Sequence, residues 1–557
     1  MRLTKSAALW PAVAAAVASG LLVALANPPA DVGPVAFVGL IPLLWSVKAA
    51  GPRRGALLGF VFGLVYWGVL LYWLLPFGLI AWLPLVVSQS AYTALFGLLV
   101  PLLWRNGAHV RNAMAAAALW TAVDWARGAW PVGGFTWGML GNTQHGNDLM
   151  LRLAPVTGVW GITFGVVLMN ALILAALPPI RTRWRLSAAL AAGALVAILA
   201  PALIPWTTAT GPALDVAVVQ GSVPFDRSNR GLTTRAVFQR HVAMTEAAAA
   251  AGQRPDLVVW GEGAADDDPL TTPTVAAGVE TATTAIHAPL LLGATTAQGG
   301  GHYATEGLLF TPSGRLADRY TKRRLVPFGE YVPASGLLRR LVPATNQLPY
   351  DKVPGTSLKP LLLDGTGFGV LICYETAYPQ DASTLAREGA RFVVVLANNA
   401  SFGHSPLARQ HLATSQLRAV EEGRTVVHAA ISGLSGVVGP DGRVRQETGL
   451  YASTAFSAEV QPRSGLTLYA RVGRLVEAVL VGAAVALAVA VAAAALERRR
   501  GANQARGDTN GPAPVPAARG TAPGPGASDP ASSARSGTTA SRAPDRLSPD
   551  QGPAPSR

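Results

Sequence analysis

The chain has 557 residues, of which 50% are hydrophobic, and its 45 Lys and Arg against 31 Asp and Glu give a formal net charge of +14. Its single cysteine excludes an intramolecular disulfide and a zinc site built from several thiolates. Because much of the basic excess lies beside apolar segments, the charge does not indicate a nucleic-acid partner.

Eight apolar stretches have the length that a membrane-spanning helix needs, about 20 residues. The first is longer than the apolar core of a signal peptide and further stretches follow it at once, so it is predicted to be an uncleaved anchor. We therefore expect a seven-helix bundle in residues 1–206 and an eighth helix after the soluble region. The predicted spans are residues 7–26, 34–50, 55–76, 79–104, 111–130, 153–177, 184–206 and 473–496.

Clusters of Lys and Arg beside these spans fall on one side of the membrane, as at Lys48, Arg53 and Arg54, whereas the loops at 27–33 and 76–79 carry none. By the positive-inside rule both termini are cytoplasmic, and the region between the seventh and eighth spans is extracytoplasmic. The chain is thus predicted to be a multi-pass protein of the cytoplasmic membrane. After the last span, residues 497–557 are rich in Pro, Gly, Ala, Ser and Thr, which is typical of a disordered tail.

Residues 213–462 alternate strand and helix signals and are predicted to form an α/β domain whose sheet is covered on at least one face. A hairpin is predicted at 435–444, with its turn at Pro440, Asp441 and Gly442. Strands are predicted at 214–220, 257–260, 289–293, 307–311, 369–373, 392–397 and 425–430, and helices at 233–251, 381–388 and 407–422.

Three residues whose side chains could take part in catalysis follow predicted apolar strands: Glu262, Lys322 and Cys373. A carboxylate can take the thiol proton, an ammonium can stabilise the oxyanion, and the thiolate can attack a carbonyl, so the set suffices for acyl transfer. Each residue also has a plainer interpretation, as a solvated acid, an exposed base and an inert buried thiol. Glu330 and Glu375 allow the same plain interpretation.

Six segments resemble the ordered motifs of the apolipoprotein N-acyltransferase family. The resemblance covers roughly residues 1–496 and implies an α-helical transmembrane bundle of eight helices joined to an α/β nitrilase-like αββα sandwich. It implies that Cys373 is the acylated nucleophile, Glu262 the general base and Lys322 the oxyanion stabiliser. Glu330 would be a second essential acid that orders the site, and Glu375 an acid beside the nucleophile. The segments are residues 218–222, 259–262, 320–322, 325–333, 372–375 and 397–403.

The resemblance also implies a two-step reaction without a cofactor. Cys373 would take an acyl chain from a phospholipid and pass it to the α-amino group of the diacylglyceryl-cysteine that begins an apolipoprotein. The partners would be these two substrates and membrane lipids.

Four positions depart from the family pattern. Gly261 stands where Pro is usual, Asn399 where Asp is usual and Ser401 where Trp is usual, and Glu306 lies near a common Asn. These departures leave two alternatives open: a catalytically weakened or non-catalytic membrane partner with the same fold, or an amidase-type hydrolase that uses water as acceptor.

Two other sets of residues are assigned no catalytic task. Asp124 and Arg127 are three apart on a predicted span and are interpreted as a structural ion pair. His404, His411 and His428 are too irregularly spaced to predict a metal site.

Overall fold

The computed structural model of the chain describes residues 9–104, 109–176, 205, 207–223, 230–347 and 351–473, with scattered positions from 475 to 486. Almost all of the predicted seventh span, residues 184–206, lies outside the described residues. The same holds for the predicted tail, residues 497–557, and the predicted eighth span is described only in part.

Helices dominate the first part of the chain. They are α1 (Leu9–Leu25), α2 (Ala36–Gly39), α3 (Ile41–Lys48), α4 (Pro52–Leu70), α5 (Leu79–Leu103), α6 (His109–Ala129), α7 (Asp148–Leu151) and α8 (Ala154–Ala176).

Three of the described helices, α4, α5 and α8, are long and apolar enough to cross a membrane. Two shorter apolar segments, Leu9–Leu25 and Gly33–Lys48, precede them. Helix α6 covers the predicted fifth span but carries Arg111, Asp124 and Arg127, and it is not among the three. An apolar helical region is therefore present as predicted, but the described residues hold three such helices, not the eight predicted.

A glycine face brings α4 and α5 into close contact. Gly55, Gly59 and Gly63 are spaced by four residues along α4. A Cβ atom at Gly55 would lie 2.1 Å from the carbonyl oxygen of Gly97, and one at Gly59 would lie 2.2 Å from that of Thr93. Small residues at this spacing let membrane helices approach closely, because lipid supplies no hydrophobic drive for association.

Two six-stranded sheets form the described part of the α/β region. Their orders are β13-β2-β3-β4-β5-β6 and β12-β11-β10-β9-β8-β7, and each has a parallel centre with antiparallel edges. A further pair, β1 with β14, is antiparallel. The strands are β1 (Thr208–Ala209), β2 (Leu214–Gln220), β3 (Leu257–Ala265), β4 (Leu290–Gly299), β5 (His302–Phe310), β6 (Leu316–Thr321), β7 (Leu361–Leu363), β8 (Thr366–Ile372), β9 (Val393–Ala397), β10 (Val426–Ala430), β11 (Gly436–Val438), β12 (Val444–Glu447), β13 (Thr454–Val460) and β14 (Arg463–Ser464).

The sheets pack face to face and helices cover their outer faces. Val218 and Val259 of one sheet share a buried core with Val370 and Val394 of the other. This is the predicted αββα sandwich, with largely apolar central strands because both faces are buried. The helices are α9 (Arg230–Ala250), α10 (Pro273–Ile286), α11 (Ser335–Leu341), α12 (Pro379–Arg387) and α13 (Leu407–Glu422).

Every strand and helix predicted in this region is present, helix α13 at its predicted bounds, but β3 and β4 extend five and six residues past their predicted ends and β5 begins five residues before its predicted start. The predicted hairpin is the antiparallel pair β11–β12. Helices α10 and α11 and strands β1, β6, β7, β13 and β14 are absent from the predicted elements. The sequence of β6, Leu-Ala-Asp-Arg-Tyr-Thr, has two adjacent charged residues and three exposed positions in its middle, so it lacks the apolar run that marks the central strands.

Helix α13 connects the sandwich to the helical region. The Gln410 side chain accepts hydrogen bonds from Trp73 Nε1 at 3.2 Å and Trp137 Nε1 at 2.8 Å, and donates to the carbonyl of Pro28 at 3.1 Å. One buried amide thus ties three segments of the helical region to the sandwich. Removing it would leave two indole N–H groups without this acceptor.

The predicted ion pair on α6 supports the contact between Gln410 and the helical region. Arg127 Nε lies 2.7 Å from Asp124 Oδ1, and both side chains are buried. The guanidinium also donates to the carbonyls of Phe135 and Trp137, at 2.6 and 2.9 Å. The pair therefore shapes the loop that reaches Gln410, in agreement with the structural interpretation.

Glu422, at the end of α13, makes the stability of the fold pH-dependent. Burial raises the pKa of this carboxyl from its ordinary value to about 8, although Ser383 donates to it at 2.6 Å. The folded state holds the proton more tightly than the unfolded state, so stability is greatest below about pH 4.5 and falls as the pH rises to about 8, by up to about 5 kcal/mol.

We expect E422Q to remove this decline, so that its melting temperature in detergent exceeds that of the parent above pH 8. The measurement is thermal unfolding between pH 5 and 9. E388Q, at an exposed neighbouring position, should reproduce the parent profile. Parallel profiles for E422Q and the parent would contradict the prediction.

Candidate active site

Cys373 occupies a sharp turn between strand β8 and a short 3₁₀ helix, Cys373–Ala377. Its φ of 51° is in the left-handed region, which is costly for a residue with a Cβ atom. The residue is half-buried, and its Sγ lies 4.0 Å from the carbonyl oxygen of Asn398 at the end of β9. Backbone strain of this kind persists only where the surroundings hold it, and it is concentrated at functional sites.

Glu262 lies in a bulge of strand β3. The pairing with β4 shifts from Trp260 opposite Leu292 to Ala265 opposite Ala294, so that several residues of β3 face Gly293 alone. A Cβ atom at Gly293 would lie 2.5 Å from the Glu262 Cα. The bulge redirects the Glu262 side chain out of the regular alternation, and the neighbouring glycine makes room for its backbone.

Lys322 follows strand β6 and is shared by two carboxylates. Its Nζ lies 2.8 Å from Glu262 Oε1 and 3.0 Å from Glu330 Oε2, and the side chain is 1% exposed. Lys352 approaches the other oxygen of Glu330 at 3.4 Å. Two cations and two carboxylates therefore form one buried, electrically balanced group, which a low-dielectric setting requires.

Burial and the neighbouring charges set the protonation states of Lys322 and Glu330. Burial by itself would lower the pKa of the Lys322 ammonium, but Glu262 and Glu330 outweigh it and hold that pKa well above its usual value. Burial opposes the charge of Glu330 as well, yet Lys322 and Lys352 lower its pKa to about 2. Lys322 is therefore a permanent cation and Glu330 a permanent anion at neutral pH.

The Cys373 thiol, in contrast to Glu330, has a raised pKa. Burial, and then the charge of Glu262, raise the pKa of the thiol, and Lys322 only partly offsets them. The thiol is thus protonated at neutral pH, so its proton must be taken by a base as the sulfur attacks. Glu262 is the carboxylate whose charge acts most strongly on it.

Glu375 is directed toward backbone donors. Its carboxylate accepts from the N–H groups of Ile372, Arg323 and Arg324, at 2.8, 2.7 and 3.1 Å, and from the Tyr320 hydroxyl at 2.9 Å. Burial raises its pKa to about 7 against these donors. The side chain connects the residue before Cys373 to the loop after Lys322, which is a positioning contact.

Four residues at the site were not singled out by the sequence as site residues: Lys352, Thr305, His411 and Asn399. Lys352 and Thr305 hold Glu330, Thr305 Oγ1 donating to it at 3.1 Å. His411 Nε2 lies 3.0 Å from the carbonyl oxygen of Cys373. No local signal marks His411, which follows Arg409 and Gln410 in α13.

The departures from the family pattern have different surroundings. Ser401 is exposed. Its neighbour Phe402 packs edge-on against Trp73 at 5.2 Å and lies 5.3 Å from Phe77 of the helical region. Glu306 is buried and accepts from the hydroxyls of Thr296 and Thr321, at 2.7 and 2.6 Å.

Gly261 has no room for a side chain. A Cβ atom there would lie 2.7 Å from the Ile431 amide nitrogen, 2.8 Å from the Ala430 carbonyl carbon and 2.9 Å from the Ala397 carbonyl oxygen. All three atoms are backbone and cannot rotate away. Glycine at this position therefore allows β3 to approach the ends of β9 and β10 closely.

We expect G261A to destabilise the fold by about 1–3 kcal/mol, the usual cost of overpacking a core, and to lower activity because Glu262 must shift. G261P should be worse, although Pro is usual in the family. The measurements are melting temperature and acyl transfer. G336A, where a Cβ atom meets nothing within 4 Å, is the matched control. A fully stable G261A would contradict this expectation.

Two family profiles match the chain. The profile described as Apolipoprotein N-acyltransferase N-terminal domain matches residues 19–172, and the Carbon-nitrogen hydrolase profile matches residues 215–467. The first covers most of the described helical region, and the second contains both sheets up to β14.

Named relatives are similar over most of the chain. The apolipoprotein N-acyltransferase of Geobacter metallireducens is 30% identical over 496 residues, covering 84% of this chain and 93% of that protein. That of Azotobacter vinelandii is 32% identical over 492 residues, covering 83% and 92%. Among solved structures, Nit3 of Saccharomyces cerevisiae, a member of branch 10 of the nitrilase superfamily, is 18% identical at a TM-score of 0.35, covering 46% of this chain and 93% of its own.

Proposed function

The chain belongs to the apolipoprotein N-acyltransferase family, and from this premise we propose that it transfers an acyl chain through a thioester on Cys373. It is a membrane-associated N-acyltransferase, with a lipid as donor and a lipoprotein as acceptor. The donor is a phospholipid, and the acceptor is the α-amino group of an N-terminal diacylglyceryl-cysteine. The observation that carries the proposal is the ion pair of Glu262 and Lys322, which acts electrostatically on the Cys373 thiol.

In the first step, Cys373 Sγ attacks the ester carbonyl carbon of the phospholipid while Glu262 takes the thiol proton. Lys322 stabilises the oxygen that becomes negative. The C–O bond then breaks, and Glu262 returns the proton to the departing glycerol oxygen. The products are a Cys373 thioester and a lysophospholipid.

In the second step, the neutral α-amine attacks the thioester carbonyl and Glu262 takes a proton from the amine. The C–S bond breaks, an amide forms, and the sulfur is protonated again. The charge of Lys322 is balanced by Glu262 and Glu330 together, so it stays partly neutralised when Glu262 is protonated. Glu330 thus keeps the cation paired through both steps, and Glu375 holds the backbone on either side of the site.

The proposal extends to topology and domains. We place seven spans in residues 1–206, the catalytic domain in 213–462, an eighth span in 473–496 and a disordered cytoplasmic tail in 497–557. Both termini are cytoplasmic and the catalytic domain is extracytoplasmic, in a bacterial cytoplasmic membrane. The one-sided distribution of Lys and Arg supports this arrangement.

The test uses the full chain in nanodiscs with acyl-labelled phosphatidylethanolamine. Cys373 is expected to acquire label that hydroxylamine removes, and a diacylglyceryl lipopeptide is expected to remove it as an N-acylated product. C373A should acquire none. An active protein without thioester label, or fatty acid release that is insensitive to the lipopeptide, would contradict the proposal and favour hydrolysis.

A further inference from the structure

We propose that His411 is a positioning residue that holds the nucleophile in its strained backbone conformation through the carbonyl of Cys373. This inference rests on the proposed role of Cys373. It adds to the reaction a residue that touches none of the reacting atoms, on an element far from strand β8 in the sequence.

The first observation is the contact itself. His411 Nε2 lies 3.0 Å from the Cys373 carbonyl oxygen, and the imidazole is 1% exposed. A carbonyl oxygen only accepts, so Nε2 must carry the hydrogen. The bond fixes the plane of the peptide that follows Cys373, at a residue whose φ of 51° would otherwise relax.

The second observation concerns the other ring nitrogen, Nδ1, and agrees with this tautomer. Asn399 Nδ2 lies 3.3 Å from His411 Nδ1, and Asn399 is also buried. Because Nε2 already carries the hydrogen, a neutral ring presents a lone pair at Nδ1, which the Asn399 amide can satisfy. Burial lowers the pKa of His411 to about 4, so the ring is neutral at physiological pH.

The third observation is that the ring contacts two other aromatic rings. His428 of strand β10 stacks edge-on at 4.7 Å, and Trp137 lies at 5.7 Å between ring centres. His428 is in turn bonded to Ser415 at 2.8 Å. The preceding residue on α13, Gln410, binds the helical region, so the element that positions the nucleophile is also the one that docks the sandwich.

The experiment compares full-length parent, H411F and H411Q in nanodiscs. Phenylalanine keeps a ring and removes the donor, whereas glutamine restores an N–H group near the position of Nε2. We expect H411F to acylate Cys373 about 100-fold more slowly, as for a misplacement of about 1 Å, with an unchanged KM for phospholipid. H411Q should retain most of the rate. H404F, at an exposed histidine, is the matched control.

Iodoacetamide alkylation of Cys373 separates the two proposals, because it needs no lipid. If the parent is alkylated but takes no label from phospholipid, the proposed function fails and the alkylation rates of parent and H411F still test His411. Equal alkylation and acylation rates in H411F and parent would overturn the positioning role. Equal losses in H411F and H411Q would overturn it too.

If H411F does not yield folded protein, the variant N399L tests the positioning role of His411 instead. It keeps His411 but removes the donor to Nδ1, and we expect acylation to slow about tenfold, the equivalent of one hydrogen bond. A parental rate in N399L would overturn the inference.

Discussion

Replacing Lys322 by methionine is expected to slow the acylation of Cys373 by about 1,000-fold, the upper range for loss of one oxyanion-stabilising group. Lys322 is a buried cation 2.8 Å from Glu262 and 3.0 Å from Glu330. Without it, the attacking sulfur and the tetrahedral oxyanion lose the positive charge that Lys322 supplies. The measurement is single-turnover transfer of label from phospholipid to Cys373.

The same change should destabilise the fold by about 3–5 kcal/mol, because two carboxylates stay buried without their shared cation. K322M/E330Q is designed to separate the two effects. Removing one negative charge should restore much of the melting temperature without restoring the rate. K359M, at an exposed lysine, controls for the loss of a positive charge. Recovery of activity in the double variant would show that Lys322 is structural only.

Replacing Glu375 by leucine is expected to cost both stability and activity. Its carboxylate accepts from three backbone N–H groups and the Tyr320 hydroxyl. Each buried donor left without a partner costs about 1–3 kcal/mol, so the four together cost at least about 4 kcal/mol. The loop after Lys322 and the turn at Cys373 would also lose their connection, and we expect acyl transfer to fall by about 100-fold.

The variant E375Q separates positioning from proton transfer. It keeps one oxygen acceptor but turns an NH₂ group toward backbone donors, so a positioning role predicts that activity and melting temperature fall together, to an intermediate level. E246L, on an exposed helix face, is the control. Full stability with abolished activity in E375Q would instead assign Glu375 a proton-transfer role.

Much of the fold could be predicted because its signals are local. Apolar runs such as 425–430 and the periodicity of α13 reflect burial of neighbouring residues, and each was found where predicted. The count of spans could not be settled in the same way. Helix α6 follows a predicted span, but its Arg127 also donates to the carbonyl of Phe135, a contact that no local pattern reveals.

Some residues of the candidate site could likewise be predicted from local sequence, and others could not. Glu262 and Cys373 could be singled out because an apolar run precedes each, and Lys322 because it stands in a segment that resembles a family motif. The direction of Glu375 could not, since its partners at Arg323 and Arg324 are some fifty positions away and meet it only through the packing of two sheets. His411 was considered only as a metal ligand, for which its spacing is poor.

The sequence by itself determined the class of the protein, most of the strands and helices of its α/β region, and the residue types able to perform acyl transfer, because these signals lie in residues close together in the sequence. Only the tertiary structure decided which carboxylates share Lys322, how Gly261 lets β3 approach its neighbours, and which histidine holds Cys373. The Lys322–Glu262 and His411–Cys373 contacts join residues 60 and 38 positions apart, and they depend on how the sheets and α13 pack together.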